Sequence, residues 1–188
     1  MILYKNVDVC ELESIVKNGI LSIDETWNNN WDEGKRASNR TDVVYLFKPD
    51  KCVTNSFPQY GVALLEVDCY ATENTILDDD ANVNLYTEYI TKKILPSEIK
   101  RIIIPEMFKP YIELPEEINV TWCKLKANYY KEECKNGEYV LEKVQVPKEI
   151  LEQFAKTAPL MDSTNFNFFR GITEKRTMID LYNIEYIF

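Results

Sequence analysis

Residues 86–105, YTEYITKKILPSEIKRIIIP, combine a carboxylate, a turn and a buried strand in one short stretch. The alternation of residue types after Glu88 predicts a strand. Pro96 fixes its own φ and biases the residue before it towards extended geometry, so residues 95–98 are expected to form a turn. Residues 102–104 are isoleucines, apolar on both faces, which is typical of a central strand. Glu88 is therefore predicted to lie at the rim of a sheet, where catalytic carboxylates are often held.

The composition favours one domain of ordinary size, or one domain with a sizeable appendage. The chain has 188 residues, 45% of them hydrophobic, which is enough for a core. The formal net charge of −9 opposes a broad phosphate-binding surface, because nucleic-acid affinity relies on cationic contacts, although it leaves room for a local basic groove. No apolar run is long enough to span a bilayer, and the N-terminus lacks a signal pattern. We therefore expect a cytoplasmic protein without a membrane partner.

The chain contains no histidine. Its absence excludes Ser-His-Asp and Cys-His catalysis and the usual imidazole zinc sites, so any chemistry falls to carboxylates, Tyr, Lys, Arg, Ser, Thr or Cys. The acidic triplet Asp78–Asp80 lacks EF-hand spacing and is expected to be a solvated loop, so no metal site is predicted. The five cysteines are widely spaced without a CxxC pair, which fits reduced thiols better than disulfides or zinc ligands: Cys10, Cys52, Cys69, Cys123 and Cys134.

The first part of the chain predicts a strand followed by a helix. Residues 2–4 form a short apolar run at the start. Asp8 and Glu11 have the spacing of a capping box at the N-terminus of a helix. Residues 9–18 then carry one apolar face, and Gly19 supplies the left-handed stop. A capped helix over these residues is the expectation.

Residues 22–41 change character, with Trp27 and Trp31 inside a polar and charged segment. A long loop or lid is one interpretation, because loops of that length in compact domains are often functional. The alternative is a short surface helix anchored by the two tryptophans, which are four residues apart. Beyond this segment, β-branched and aromatic residues predict strands at 42–47 and 60–68.

The sequence divides into a predicted core, residues 1–114, and an extension packed on it, residues 115–188. In the extension, Asn136-Gly137 predicts the turn of a β-hairpin, and Pro147 is expected in the first turn of an amphipathic helix. Residues 178–188 are too apolar for a free tail and are expected to dock on the body. The strands of the hairpin are predicted at 120–130 and 138–146.

Three segments, in this order, resemble the ADP-ribosyltransferase fold. The first is LYKN at 3–6, with the helix that follows it and its ending at Gly19-Ile20; the second is the strand VVYLF at 43–47. The third is a glutamate in a strand, Glu88, followed by a Pro-x-x-Ile turn at 96–99. The resemblance is to the histidine, tyrosine, glutamate branch, which includes the tRNA 2′-phosphotransferases and toxins that modify DNA.

This resemblance implies an α+β fold in which two split, strongly twisted antiparallel sheets with a few flanking helices surround a nucleotide cleft. It implies NAD as the substrate that donates ADP-ribose. It also implies that Glu88 is catalytic, hydrogen-bonding the nicotinamide ribose and stabilising the positive charge that develops as nicotinamide leaves. Tyr86 stands where arginine-modifying members have Glu or Gln, which argues against arginine as the acceptor.

The same resemblance implies which residues bind NAD. Tyr45 is expected to pack against the nicotinamide or its ribose, and Tyr60 to form the opposite wall. Tyr4, Lys5 and Asn6 form the first binding segment. Lys5 occupies the position where the family usually has His, and Lys5 or Asn6 could donate to a ribose hydroxyl or a phosphate.

The expected function is that of an NAD-dependent mono-ADP-ribosyltransferase acting on an intracellular protein or nucleic acid, as in a toxin or host-takeover effector. The net acidity favours a protein acceptor. One alternative is a catalytically degenerate binding protein or inhibitor that uses its acidic surface to hold a basic partner. Another is a protein with no site, in which Tyr45 is a core aromatic, Lys5 is solvated and Glu88 is a surface charge.

Overall fold

A computed structural model describes residues 1–27, 39–49, 61–75, 86–126, 128–160 and 185–187 of the chain. Ten strands are described: β1 Ile2–Val7, β2 Val44–Pro49, β3 Ala63–Asp68, β4 Thr72–Asn74, β5 Tyr86–Thr91, β6 Ile99–Pro105, β7 Val120–Lys126, β8 Asn128–Lys135, β9 Glu138–Gln145 and β10 Glu185–Ile187. The helices are α1 Leu12–Asn18, α2 Ile23–Thr26 and α3 Lys148–Thr157. Short 3₁₀ turns lie at Val9–Glu11, Pro96–Glu98, Glu106–Phe108 and Ala158–Leu160.

Among the described strands, eight form one open sheet in the order β10-β7-β6-β3-β1-β2-β5-β4, and β8 pairs with β9 separately. This confirms the predicted α+β class. Strands β6 and β7 run parallel, whereas the other pairings in this sheet are antiparallel. A parallel neighbour needs a long crossover, and residues 106–119 provide it.

The centre of the sheet is buried on both faces. Successive residues of a strand point to opposite faces, yet Leu64 and Leu65 of β3 are both fully buried. The same holds for the consecutive isoleucines 102–104 of β6, as their continuous apolar run predicted. The core also includes Phe108, whose ring packs edge to face on the ring of Phe154 in α3, with 5.5 Å between the ring centroids. Helix α3 therefore packs on the same core as the sheet.

The first helix begins later than predicted. Residues 9–11 form a 3₁₀ turn, and α1 starts only at Leu12. The Asp8 side chain makes no capping hydrogen bond, so the predicted capping box is wrong. In the tighter 3₁₀ turn, the Asp8 carbonyl instead accepts a hydrogen bond from the Glu11 N–H. Gly19, with φ of +76°, ends the helix at the predicted position.

Downstream, the hairpin is confirmed. Asn136 and Gly137 both have positive φ, +55° and +81°, as a two-residue hairpin turn requires. The single strand predicted at 120–130 is two strands, because β7 joins the main sheet and β8 joins the hairpin. Strand β10 pairs with β7, so the apolar end of the chain does dock on the body. The sequence predicts a core at 1–114 and an extension at 115–188. Strand β7 of the predicted extension belongs to the same sheet as β1 of the predicted core, so the sheet does not separate the two parts and the division stays a prediction.

Candidate functional site

The main sheet narrows at the boundary between β1 and β2. Strand β1 pairs with β3 along its whole length, from Ile2 opposite Asp68 to Val7 opposite Ala63. Strand β2 pairs with β5 over its whole length as well. Between β1 and β2, in contrast, one residue pair is in register, Tyr4 with Phe47. The sheet thus consists of two well-paired halves with a narrow joint.

One row of side chains crosses this joint. Residues directly opposite each other in neighbouring strands point to the same face of a sheet. The registers therefore put six residues from six strands on one face, and we call them the cross-strand row: Arg101, Glu66, Tyr4, Phe47, Glu88 and Asn74. Of the predicted site residues, Tyr4 and Glu88 are in this row with Phe47 between them, whereas Tyr45 lies outside it, opposite Ile90.

Glu88 is buried, with 5% of its surface exposed. It is the third residue of β5, and its Oε1 accepts a hydrogen bond of 2.7 Å from Nδ2 of Asn74 in β4. The interpretation of Glu88 as a surface charge is therefore wrong. Nothing in the sequence around Asn74 identified it as a partner, since the pairing of β4 with β5 alone brings the two side chains together.

Aromatic rings lie next to Glu88 on the same face. The Phe47 ring is 6.2 Å from that of Tyr4 and 5.4 Å from that of Tyr86. Both Phe47 and Tyr86 are buried. A carboxylate set among buried rings interacts more strongly with a nearby positive charge than it would in water, because the local dielectric constant is low.

Lys5 reaches the joint from the other face. It lies next to Tyr4 in β1, so alternation directs its side chain away from the cross-strand row. Its Nζ nevertheless donates to the Tyr45 carbonyl oxygen of β2 at 3.2 Å. Burial lowers the pKa of the ammonium to about 8, while the nearby carboxylates of Glu11 and Glu88 act in the opposite direction. Lys5 is thus not the solvated lysine that one interpretation expected.

Asn6 is buried beside the joint, with 5% of its surface exposed. Its Nδ2 donates to the Gly61 carbonyl oxygen at 3.3 Å. Its Oδ1 has no hydrogen-bond partner among the residues that the structure describes. A buried acceptor without a partner is uncommon in native proteins and requires an explanation, such as a ligand or an ordered water.

Two of the three tyrosines of the predicted site, Tyr4 and Tyr45, have hydrogen-bond partners within the protein. The Tyr4 hydroxyl donates to Glu66 Oε2 at 3.4 Å, and burial raises its pKa. The half-buried Tyr45 accepts a hydrogen bond at its hydroxyl oxygen from the Arg40 backbone N–H at 2.6 Å. This satisfied hydroxyl is what the core-aromatic interpretation of Tyr45 expected. Tyr60 lies outside the described residues.

The helix and the turn that flank the site contact each other. Ile20 and Ile94 exchange two backbone hydrogen bonds of 2.8 Å, just after α1 and just after β5. Gly19 fits here because a Cβ at its position would lie 2.0 Å from the Ile94 carbonyl oxygen. The turn at Pro96–Glu98 follows directly, with Glu98 accepting from the Leu95 N–H. Two segments quoted from the sequence for their family resemblance are therefore joined.

Within the described ranges, no group of three or more His, Cys, Asp or Glu side chains is arranged to hold a metal ion. None of the helices described there is long and apolar enough to cross a membrane. Comparisons of the chain with protein-family models, with curated proteins and with solved structures found no match.

Proposed function

We propose that this protein is an NAD-dependent mono-ADP-ribosyltransferase in which Glu88 is the catalytic carboxylate. The observation that carries the proposal is the burial of Glu88 in the cross-strand row, next to a narrow joint in the sheet and beside the rings of Phe47 and Tyr86. Asn74 fixes the carboxylate through an uncharged amide, so the hydrogen bond orients the group without neutralising it.

The chemistry requires an acceptor held opposite a developing positive charge. NAD supplies a glycosidic bond whose cleavage leaves positive charge on the ribose. Glu88, already oriented by Asn74, would accept a hydrogen bond from a ribose hydroxyl and stabilise that charge more in the transition state than in the ground state. Its burial favours this role, because the field of a carboxylate is stronger away from water.

The Oδ1 of Asn6, which has no hydrogen-bond partner within the described part of the chain, is the feature of this structure that best fits a bound dinucleotide. It lies in β1 on the same face as Tyr4, one strand away from Phe47. Ribose hydroxyls and carboxamide N–H groups are donors that such an acceptor would bind. The net charge of −9 favours a protein as the acceptor of ADP-ribose over a nucleic acid.

The contact between Gly19 and Ile94 also supports the proposal. It links the end of α1 to the segment after β5, and these are two of the three segments that resemble the transferase fold. Such a link fixes the segment that follows the strand of Glu88 to the residues that follow the first helix.

Incubation with NAD labelled in the adenylate tests the proposal. The wild-type protein should release nicotinamide and transfer label to itself or to proteins of a lysate. Glu88→Gln keeps the side-chain shape and the acceptor for Asn74, and should lower nicotinamide release at least about 100-fold, the effect of removing one transition-state contact. The matched control is Glu73→Gln, an exposed glutamate in β4, which should leave the rate unchanged.

NAD should also raise the melting temperature of the wild type, because a ligand that binds the native state stabilises it. The proposal fails if the wild type releases no nicotinamide and NAD produces no such shift. Equal rates in wild type and Glu88→Gln would also contradict it, since the activity would then come from elsewhere.

A degenerate binding protein is the second candidate, and Lys5 is the observation that favours it. Its ammonium is bonded to the Tyr45 carbonyl, and the Tyr45 hydroxyl is bonded to the Arg40 backbone. Two residues expected to contact NAD therefore already have partners within the protein. In this case NAD does not raise the melting temperature. The Glu88→Gln variant still binds a basic partner protein, and replacing exposed acidic residues by basic ones weakens that binding.

A further inference from the structure

A cavity of about 600 Å³ opens between the end of β6, the 3₁₀ turn that follows it, β7 and α3. It is lined by none of the residues of the cross-strand row, so it is distinct from the proposed NAD site. Its volume is within the range of sites for small molecules, which runs from about 300 to 1,000 Å³. The residues that line it are separated into an apolar floor and a charged rim.

The floor is apolar. Pro105 at the end of β6 and Ala155 of α3 are buried, and Met107 and Leu151 are half-buried. Tyr111, which is 43% exposed, adds an aromatic wall. Leu151 and Ala155 are four residues apart and so lie on one side of α3. These side chains offer a surface on which an apolar group would be removed from water.

The rim is charged and exposed. Lys148, Glu152 and Lys156 follow one another at intervals of four and form a second row on α3, beside the apolar one. Lys148 pairs with Glu152 at 3.5 Å. Lys124 of β7 and Lys156 have no ion-pair partner among the described residues, and the other charged group of the lining is Glu106. Within the described residues, no ion pair neutralises these two lysines, which line the cavity.

We propose that this cavity binds a small amphipathic organic anion. Its apolar body would cover Met107, Leu151 and Tyr111, and its single carboxylate, sulfonate or phosphate would face Lys124 and Lys156. Lysine is a strongly hydrated point charge that binds such groups without demanding one fixed geometry. What supports the proposal is the combination of an apolar floor with Lys124 and Lys156, which line the same cavity and have no ion-pair partner among the residues that the structure describes.

The probe is 1-anilinonaphthalene-8-sulfonate, which has an aromatic body and one sulfonate and fluoresces when it leaves water. It should bind the native full-length chain at one saturable site, and octanoate should displace it. Octanol, which has the same chain length without the charge, should displace it far less. Displacement by octanol as effective as that by octanoate would overturn the proposal.

The double variant Lys124→Met/Lys156→Met removes the charges of these two rim lysines and keeps nearly the same side-chain length. It should weaken probe binding at least about fivefold, the effect expected of losing close ionic contacts at a partly exposed site. Lys17→Met/Lys93→Met is the matched control, because it removes two exposed lysines elsewhere and changes the net charge equally. The same loss of binding in both double variants would overturn the proposal.

Leu151→Trp tests the cavity independently of charge. The larger ring should fill the space above Ala155 and abolish binding of the probe, with the circular dichroism spectrum unchanged. If this variant unfolds, the lysine double variant, which leaves the apolar floor intact, carries the test alone. Unchanged binding in a folded Leu151→Trp protein would show that the probe binds elsewhere and would contradict the proposal.

Discussion

Each half of the cross-strand row contains one glutamate, and the two glutamates have different partners. Glu66 and Glu88 lie on the same face of the sheet, on either side of the joint between Tyr4 and Phe47. Glu66 forms a 2.6 Å salt bridge with Arg101. Glu88 is more deeply buried and has the uncharged amide of Asn74 in the equivalent position. The row thus contains one carboxylate in a salt bridge with a cation and one that accepts a hydrogen bond from an uncharged amide.

The different partners of Glu66 and Glu88 indicate which of the two carboxylates needs a functional explanation. Burying a carboxylate costs free energy unless a cation and further hydrogen bonds compensate. Arg101 provides that compensation for Glu66, so stability accounts for the pair. The Glu88 carboxylate accepts a hydrogen bond from Asn74 and interacts electrostatically with Lys5, whose own hydrogen bond goes to a backbone carbonyl. We therefore assign the Glu66 salt bridge to the fold and keep Glu88 for the proposed function.

The largest loss of stability should come from disrupting the close backbone contacts that hold either half of the sheet in place. Gly61 lies at the β1–β3 side, where a Cβ would be 2.1 Å from the Val7 carbonyl oxygen, and Gly19 supports the β5 side through Ile94. Gly61→Ala and Gly19→Ala should each lower the free energy of unfolding by at least about 3 kcal/mol, because backbone must move and φ is positive. Urea denaturation measures this.

Gly137→Ala is the control for these two substitutions. Its φ is also positive, at +81°, but no atom lies within 4 Å of the added Cβ. It should cost only about 1 kcal/mol, the conformational term alone. If Gly61→Ala were no more destabilising than Gly137→Ala, close backbone packing at β1 would not be what holds that half together.

The next effect compares the two carboxylates directly. Glu66→Gln should lower the free energy of unfolding by about 2 kcal/mol, because it leaves the half-buried Arg101 guanidinium opposite a neutral amide. Glu88→Gln should change it by less than about 1 kcal/mol, since the new amide oxygen still accepts from Asn74. Both are measured by chemical denaturation at pH 7. Equal losses would mean that Glu88 is as structural as Glu66.

The smallest effect concerns Lys5, whose pKa of about 8 in the folded protein lies below the ordinary lysine value. Above about 8 the native state binds fewer protons than the unfolded chain, so this residue makes stability rise with pH up to about 10.4. Screening by solvent limits the rise to about 1 kcal/mol. Lys5→Met should lack it, as the difference between the two stability curves against pH would reveal.

The pKa of Lys5 also reports which carboxylate is near. Measured by NMR of the side-chain carbon next to Nζ, it should fall in Glu88→Gln and in Glu11→Gln, because each substitution removes a charge that favours the ammonium. It should stay unchanged in Glu66→Gln. A fall in Glu66→Gln of the same size would erase the distinction between the two halves.

The local elements of the fold could be predicted from the sequence. The stretch from Tyr86 to Pro105 forms the strand, turn and buried strand that its residue pattern indicates. Asn136-Gly137 makes its hairpin turn, and α3 follows Pro147. In each case the deciding interactions are between residues a few positions apart. Asp8 is the exception, because a 3₁₀ turn and a capped α-helix begin with similar residues.

The candidate site could be predicted only in part. Glu88 and the first strand stand out through their sequence context, but Asn74 does not, because its role arises from the register of β4 against β5. The salt bridge of Glu66 with Arg101 depends in the same way on β3 and β6. The apolar run at 2–4 predicts the start of β1, which extends to Val7, but the bond of Lys5 to Tyr45 needs the narrow joint. Registers between distant strands have no local signal.

Strand β1 occupies the middle of the sheet although it comes first in the chain. Its partners are far downstream, with Ile2 opposite Asp68 and Tyr4 opposite Phe47. Long loops must close before these contacts form, and that search slows folding relative to a helical domain of equal size. During synthesis, β1 therefore leaves the ribosome well before either neighbour and must wait without a sheet to join. Until Asp68 has emerged, the backbone groups of β1 cannot complete their pairing with β3, and an unpaired apolar strand is prone to aggregate.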